Sequence, residues 1–144
     1  MNQAIIFINK HPILLLLLII IVISILINEI KIKKNQPQRI NPKELIQWIN
    51  YNNATIIDLR NEKSFKNGHI INSIKIQFNQ IKFEEKKLEK YKKKPLILIC
   101  SNGLTSMKIG MQLKKNGFSK IMILSGGISN WTNHKLPLIK NYIK

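Results

Sequence analysis

From Pro12 the chain runs through Ile13 to Ile27 with a single interruption, Ser24, and stays weakly apolar as far as Ile30. An amphipathic helix of a soluble protein keeps polar residues along one face, and this stretch offers no such face. Wound as an α-helix, Pro12–Ile30 would be about 28 Å long, against a hydrocarbon core of about 30 Å. The segment therefore reads as one membrane-spanning helix, residues 12–30. Asn-Glu-Ile-Lys-Ile-Lys-Lys follows without a small-residue cleavage site, which favours a retained anchor over a cleaved signal peptide. What remains is a short tail (1–11), a basic linker (31–40), one domain (41–138) and a basic tail (139–144).

Lys31, Lys33, Lys34 and Arg39 follow the apolar run, whereas Lys10 and the amino terminus precede it. Lysine and arginine are retained on the cytoplasmic side of a membrane. The expected topology is therefore N-terminus outside and C-terminal domain in the cytoplasm. The same cations would also attract anionic headgroups. The formal charge is +17, yet lysine supplies 22 of the 24 basic residues and stands beside 30 isoleucines and 17 asparagines. Those three amino acids share A/T-rich codons, which points to base composition rather than to selection for a polyanionic partner. No aromatic interleaving marks a nucleic-acid groove, so no nucleic acid is expected. One cysteine excludes an intramolecular disulfide and any Cys-rich zinc site.

Past the linker, Asn41-Pro42-Lys43-Glu44 is a helix start, with an Asn cap, proline in the first turn and Glu three residues on. Leu45, Ile46, Trp48 and Ile49 give that helix an apolar face ending near Asn52. Ala54–Leu59 reads as a buried strand, Ile74–Phe78 as an edge strand, and Glu84–Lys94 as a charged helix resting on Leu88 and Tyr91. Leu96–Ile99, four aliphatic residues behind Pro95, reads as a strand buried on both faces. The helix after it stops at Asn116-Gly117. Ile121–Leu124 is a further strand, and Ser125-Gly126-Gly127 turns into a short helix holding Trp131. Strands alternating with helices imply an α/β domain whose mostly parallel sheet is covered on both faces.

Cys100 ends the Leu96–Ile99 run and is followed by Ser101-Asn102-Gly103 and then by an amphipathic helical pattern. It thus sits where a buried strand hands over to a helix N-terminus. Free N–H groups and the positive end of the helix dipole favour an anion there, and the thiolate is the nucleophilic form of cysteine. The plain alternative is a small core residue, since free cysteines are usually buried. Asp58 and Arg60 read as a mutual ion pair at a strand end, and His69 as a turn-stabilising residue. Gly126-Gly127 reads as turn geometry, since it lacks the spacing of a nucleotide loop.

Asp58-Leu59-Arg60 with Glu62 and Phe65, Gly68-His69-Ile70, the Cys100 loop, Gly117-Phe118, and Leu124-Ser125-Gly126-Gly127 with Trp131 and Pro137 share one order and spacing. In these motifs, from about Asn41 to Pro137, the chain resembles rhodanese domains, and its anchor resembles that of membrane-bound bacterial members. The resemblance implies a rhodanese-like five-stranded sheet with helices on both faces. It also implies an active loop of Cys100, Ser101, Asn102, Gly103, Leu104 and Thr105, whose amides hold a persulfide on Cys100, with Asp58 and Arg60 in support. The implied activity is that of a thiosulfate sulfurtransferase, passing sulfur from a small donor to a thiol or cyanide acceptor without metal or cofactor. The implied location is the bacterial cytoplasmic (inner) membrane, reached through residues 12–30, with room for a membrane-protein partner.

Two positions depart from the pattern: Thr105, where many members carry Arg, and Asn72-Ser73, where Gly-Ala is preferred. Some anchored relatives lack the cysteine, so the alternative is a non-catalytic rhodanese-fold module holding a partner protein at the membrane. A phosphatase of the same fold would need one more loop residue and an Arg at its end, and this loop has neither.

Overall fold

The computed structural model describes residues 12–34, 36–77 and 88–140. The chain divides into two compact units, Met1–Asn35 and Gln36–Lys144. Helix α1 (Pro12–Lys34) is the described part of the first unit and is long and apolar enough to cross a membrane. It runs past Ile30 because Lys31–Lys34 contains good helix formers and no breaker. The stretch read as a linker is therefore largely regular: helix to Lys34, then strand β1 (Gln38–Ile40).

The second unit is a five-stranded sheet in the order β1, β5 (Ile121–Leu124), β4 (Leu96–Ile99), β2 (Thr55–Asp58), β3 (Ile74–Lys75). Every pair in it is parallel. Helices α2 (Pro42–Asn52), α3 (Glu62–Asn67), α4 (Leu104–Lys115) and α5 (Gly127–Asn133) connect or follow the strands. The α2 start is a complete capping box: Glu44 N–H donates to Asn41 Oδ1 at 2.9 Å, and Asn41 N–H to Glu44 Oε2 at 2.7 Å.

Alternation along β4 divides the core. Leu96, Leu98 and Cys100 face Ile109, Leu113 and Phe118 on the α4 side, while Ile97 and Ile99 face Leu45, Ile128 and Trp131 on the other. All four β4 residues are fully buried. At about 25 cal/mol per Å² of apolar surface, this central strand is where burial stabilises the domain most. The parity also decides the fate of the thiol, which must point to the α4 face.

Three differences from the sequence reading have physical causes. The edge strand is the short β3, and Phe78, where the expected strand ended, lies outside the described residues. Of the charged helix expected over 84–94, the described part begins with Leu88, helical and buried, and tightens into a 3₁₀ turn, Glu89–Tyr91, with Tyr91 packed on the core. Pro95 disfavours helix for the residue before it. At the other end of the domain, Ile139 exchanges two backbone hydrogen bonds of 2.9 Å with His69, inside the stretch read as a tail. Residues 1–11, Asn35, 84–87 and 141–144, which also carried expectations, lie outside the described residues.

Candidate active site

Cys100 leaves β4 at its C-terminal end and is only 3% exposed. Its Sγ accepts the N–H of Gly103 at 3.1 Å and that of Ser106 at 3.4 Å. Two backbone dipoles at the start of α4 therefore converge on the sulfur, adding to the helix field. Of the six loop residues expected to form the cradle, Gly103 supplies one of these amides. Ser106, one residue beyond them, supplies the other.

The remaining loop residues shape the turn. Asn102 Oδ1 accepts the N–H of Leu104 at 3.1 Å, which closes the loop into the first turn of α4. Ser101 and Asn102 are exposed, Leu104 is 73% exposed, and Thr105 is half-buried in the second helical position. Gly103 adopts φ of +90°, which a side chain resists. The loop amides can face the sulfur because the carbonyls on its other side are held elsewhere. Cys100 O accepts from Ile128 N–H at 2.9 Å, and Ser101 O accepts from Ser129 N–H at 3.3 Å and Ser129 Oγ at 2.9 Å.

The N-terminus of α5 thus clamps the loop from behind. It approaches so closely that a Cβ on Gly127 would lie 2.2 Å from Cys100 O. The sequence signalled this clamp only as a Gly-Gly pair. The part played by Ser129 carries no local signal, since its partner is 28 residues away.

Asp58 and Arg60 stand one strand over, and Leu59 N–H donates to Ile99 O at 2.8 Å. The expected ion pair is present and closed: Arg60 Nη2 lies 2.7 Å from Asp58 Oδ2, and Arg60 Nε donates to both carboxylate oxygens. Arg60 Nη2 also donates to Gly68 O at 2.7 Å, tying β2 to the turn after α3. His69 is buried, with Nδ1 2.9 Å from Phe65 O and its ring stacked 3.9 Å from that of Phe65. These groups brace the sheet end. A groove of about 200 Å³ lies beside the loop, lined in part by Asn102, Leu104, Met107, Lys108 and Arg39.

A cysteine in a backbone cradle at the end of a central parallel strand, on this sheet order, defines a class. The chain belongs to the rhodanese family: the model of the rhodanese-like domain matches residues 41–134. Over 141 residues it is 30% identical to the protein YibN of Escherichia coli K12, covering 97% of this chain and 99% of YibN. A thiosulfate sulfurtransferase, GlpE of Coxiella burnetii, is 25% identical over 97 residues, 67% of this chain and 89% of that one. Among solved structures, a rhodanese-related protein from Thermoplasma volcanium superposes with a TM-score of 0.61 at 25% identity. That match covers 71% of this chain and 97% of that one.

Proposed function

We propose that this protein is a membrane-tethered sulfurtransferase in which Cys100 carries sulfane sulfur. The observation that carries the reading is the convergence of the Gly103 and Ser106 N–H groups on Cys100 Sγ. Such donors stabilise an anionic sulfur without a base or metal. The Cys100 thiolate attacks the outer sulfur of thiosulfate, the S–S bond breaks, and sulfite leaves with the electron pair. The resulting persulfide is anionic at its terminal sulfur. Cyanide or a thiolate then takes that sulfur, and the Cys100 thiolate is restored.

With no second cysteine in the chain, the sulfur cannot leave through an internal disulfide. In this reading Ser101, Asn102, Gly103, Leu104 and Thr105 form the donor-binding loop, and Asp58 and Arg60 hold the neighbouring strand end. The groove carrying Lys108 and Arg39 suits an anionic donor. Residues 12–30 tether the domain to the bacterial inner membrane with the N-terminus outside, and a membrane-protein partner fits that location. Turnover of thiosulfate and cyanide to thiocyanate by the full chain, lost in Cys100→Ser, tests the chemistry. Thiol labelling of Gln3→Cys from outside intact cells, with Gln36→Cys protected, tests the topology; the reverse pattern would overturn it.

One observation favours the second reading, a non-catalytic module that holds a partner protein at the membrane. Cys100 is nearly inaccessible and belongs to the α4-side core cluster. Under that reading Cys100→Ser leaves the cellular function intact.

A further inference from the structure

We propose that the end of the domain opposite Cys100 is a binding surface for anionic phospholipid headgroups, a reading that rests on the membrane tether proposed above. In a parallel sheet all strands begin at one end, and the pairing of Leu96 with Thr55 and Ile121 defines that end here. Lys93 and Lys94 precede β4, Lys114 and Lys115 close α4, and Lys120 precedes β5. Two hydrogen bonds hold these segments side by side: Leu96 N–H to Lys120 O at 2.9 Å, and Ser119 N–H to Lys92 O at 3.3 Å. Lys93, Lys94, Lys115 and Lys120 are exposed, and Lys114 partly so.

The charge there is unbalanced. Among the described residues of the domain, the acids Glu44, Asp58 and Glu62 lie toward the Cys100 end, at strand ends or helix starts. Among the described acids, Glu89 alone lies near the lysines, paired with Lys92 at 3.2 Å. Lysines stand at the Cys100 end as well, but Lys66 and Lys75 there are paired with Glu62. Tyr51, in the last turn of α2 before β2 begins, is 82% exposed at the lysine end. An exposed aromatic beside lysines is the composition of a membrane interface. The backbone also enters the domain there, because β1 begins at Gln38, beside Met122. Helix α1 ends only a few residues earlier, at Lys34. The observations favour lipid over a soluble polyanion because the chain enters the domain at Gln38, directly after an apolar helix that ends at Lys34. Cys100 lies one strand length from that surface, roughly 13 Å, so headgroup binding leaves the loop facing solvent.

The test uses the full chain in lipid nanodiscs of phosphatidylcholine alone or with one third phosphatidylglycerol. Lysines are acylated with a water-soluble ester and read by peptide mass spectrometry. Both discs hold the tether, so the difference between them reports the domain's own lysines. Acylation of Lys93, Lys94, Lys115 and Lys120 should fall at least threefold in the anionic discs, while Lys43 and Lys63 stay unchanged. The protection should vanish at about 1 M salt, where the screening length is about 3 Å. Equal acylation in both discs overturns the proposal. So does protection by single-stranded RNA where anionic lipid gives none. A chain that fails to co-elute with the phosphatidylcholine discs overturns the tether instead, and protection by the anionic discs is then read against the chain free in solution.

Discussion

Two turns at the same end of the sheet, on adjacent strands, are built in opposite ways. After β2, side chains do the holding: Asp58 and Arg60 pair within the chain, and Arg60 reaches on to Gly68 O. After β4, the backbone does it. Amides of Gly103 and Ser106 face the sulfur, while carbonyls of Cys100 and Ser101 are held by α5. The first arrangement saturates its charges with one another and leaves little for a ligand. The second turns its N–H groups onto a single sulfur and uses no side-chain charge there. A site made of amides also tolerates change in its side chains, Thr105 among them.

The comparison breaks most sharply at Gly127. Gly127→Ala places a methyl 2.2 Å from Cys100 O at a φ of +60°, so the loop must move. A destabilisation of about 3 kcal/mol is expected from overpacking and strain together, read by denaturant unfolding. Sulfur loading should fall at least tenfold in the fraction that remains folded. A variant that loads normally would show that the α5 clamp does not set the loop geometry.

Asp58→Ala tests the other turn. It leaves Arg60, 8% exposed at its side chain, without its carboxylate, and breaking a buried pair in this way costs about 3–5 kcal/mol. The comparison predicts lower stability, with the loading rate of folded protein changed less than threefold. A loading loss larger than the stability loss would give the pair a direct part in catalysis.

The smallest effect is expected at Glu62. The hydrogen bond from Lys75, opposed by desolvation and aided by the charges of Lys75 and Lys66, holds its carboxyl below the usual range. A carboxyl depressed by folding contributes stability above its unfolded value of about 4.3, and that contribution is lost as pH falls through the folded value. Wild type should therefore exceed Glu62→Gln slightly in Tm at pH 6, with the gap closing below pH 4. Parallel curves over that range would show that the pair contributes nothing.

Much of this was legible because local chemistry encoded it. The Asn41–Glu44 capping box, the unbroken aliphatic strand Leu96–Ile99 and the positive-φ Gly103 each leave a signature in a few consecutive residues. Strand β1 left none: Gln38-Arg39-Ile40 has one buried residue, and its pairing with β5 is long-range. Ser106 was hidden because a loop defined by spacing stops at Thr105, whereas the amide that reaches the sulfur is set by the helical turn. The lysine surface was hidden for a related reason. Charges scattered along the chain gather only once Lys92–Lys94 and Ser119–Lys120 are joined.

The central claim is that backbone amides hold a transferable sulfur on Cys100, and the intact mass of the full chain after incubation with thiosulfate tests it most directly. Wild type and Thr105→Ala should each gain one sulfur atom, which cyanide removes as thiocyanate. Cys100→Ser should gain none while keeping its unfolding midpoint. A wild-type chain that never gains the sulfur, or a Cys100→Ser chain that does, would contradict the account.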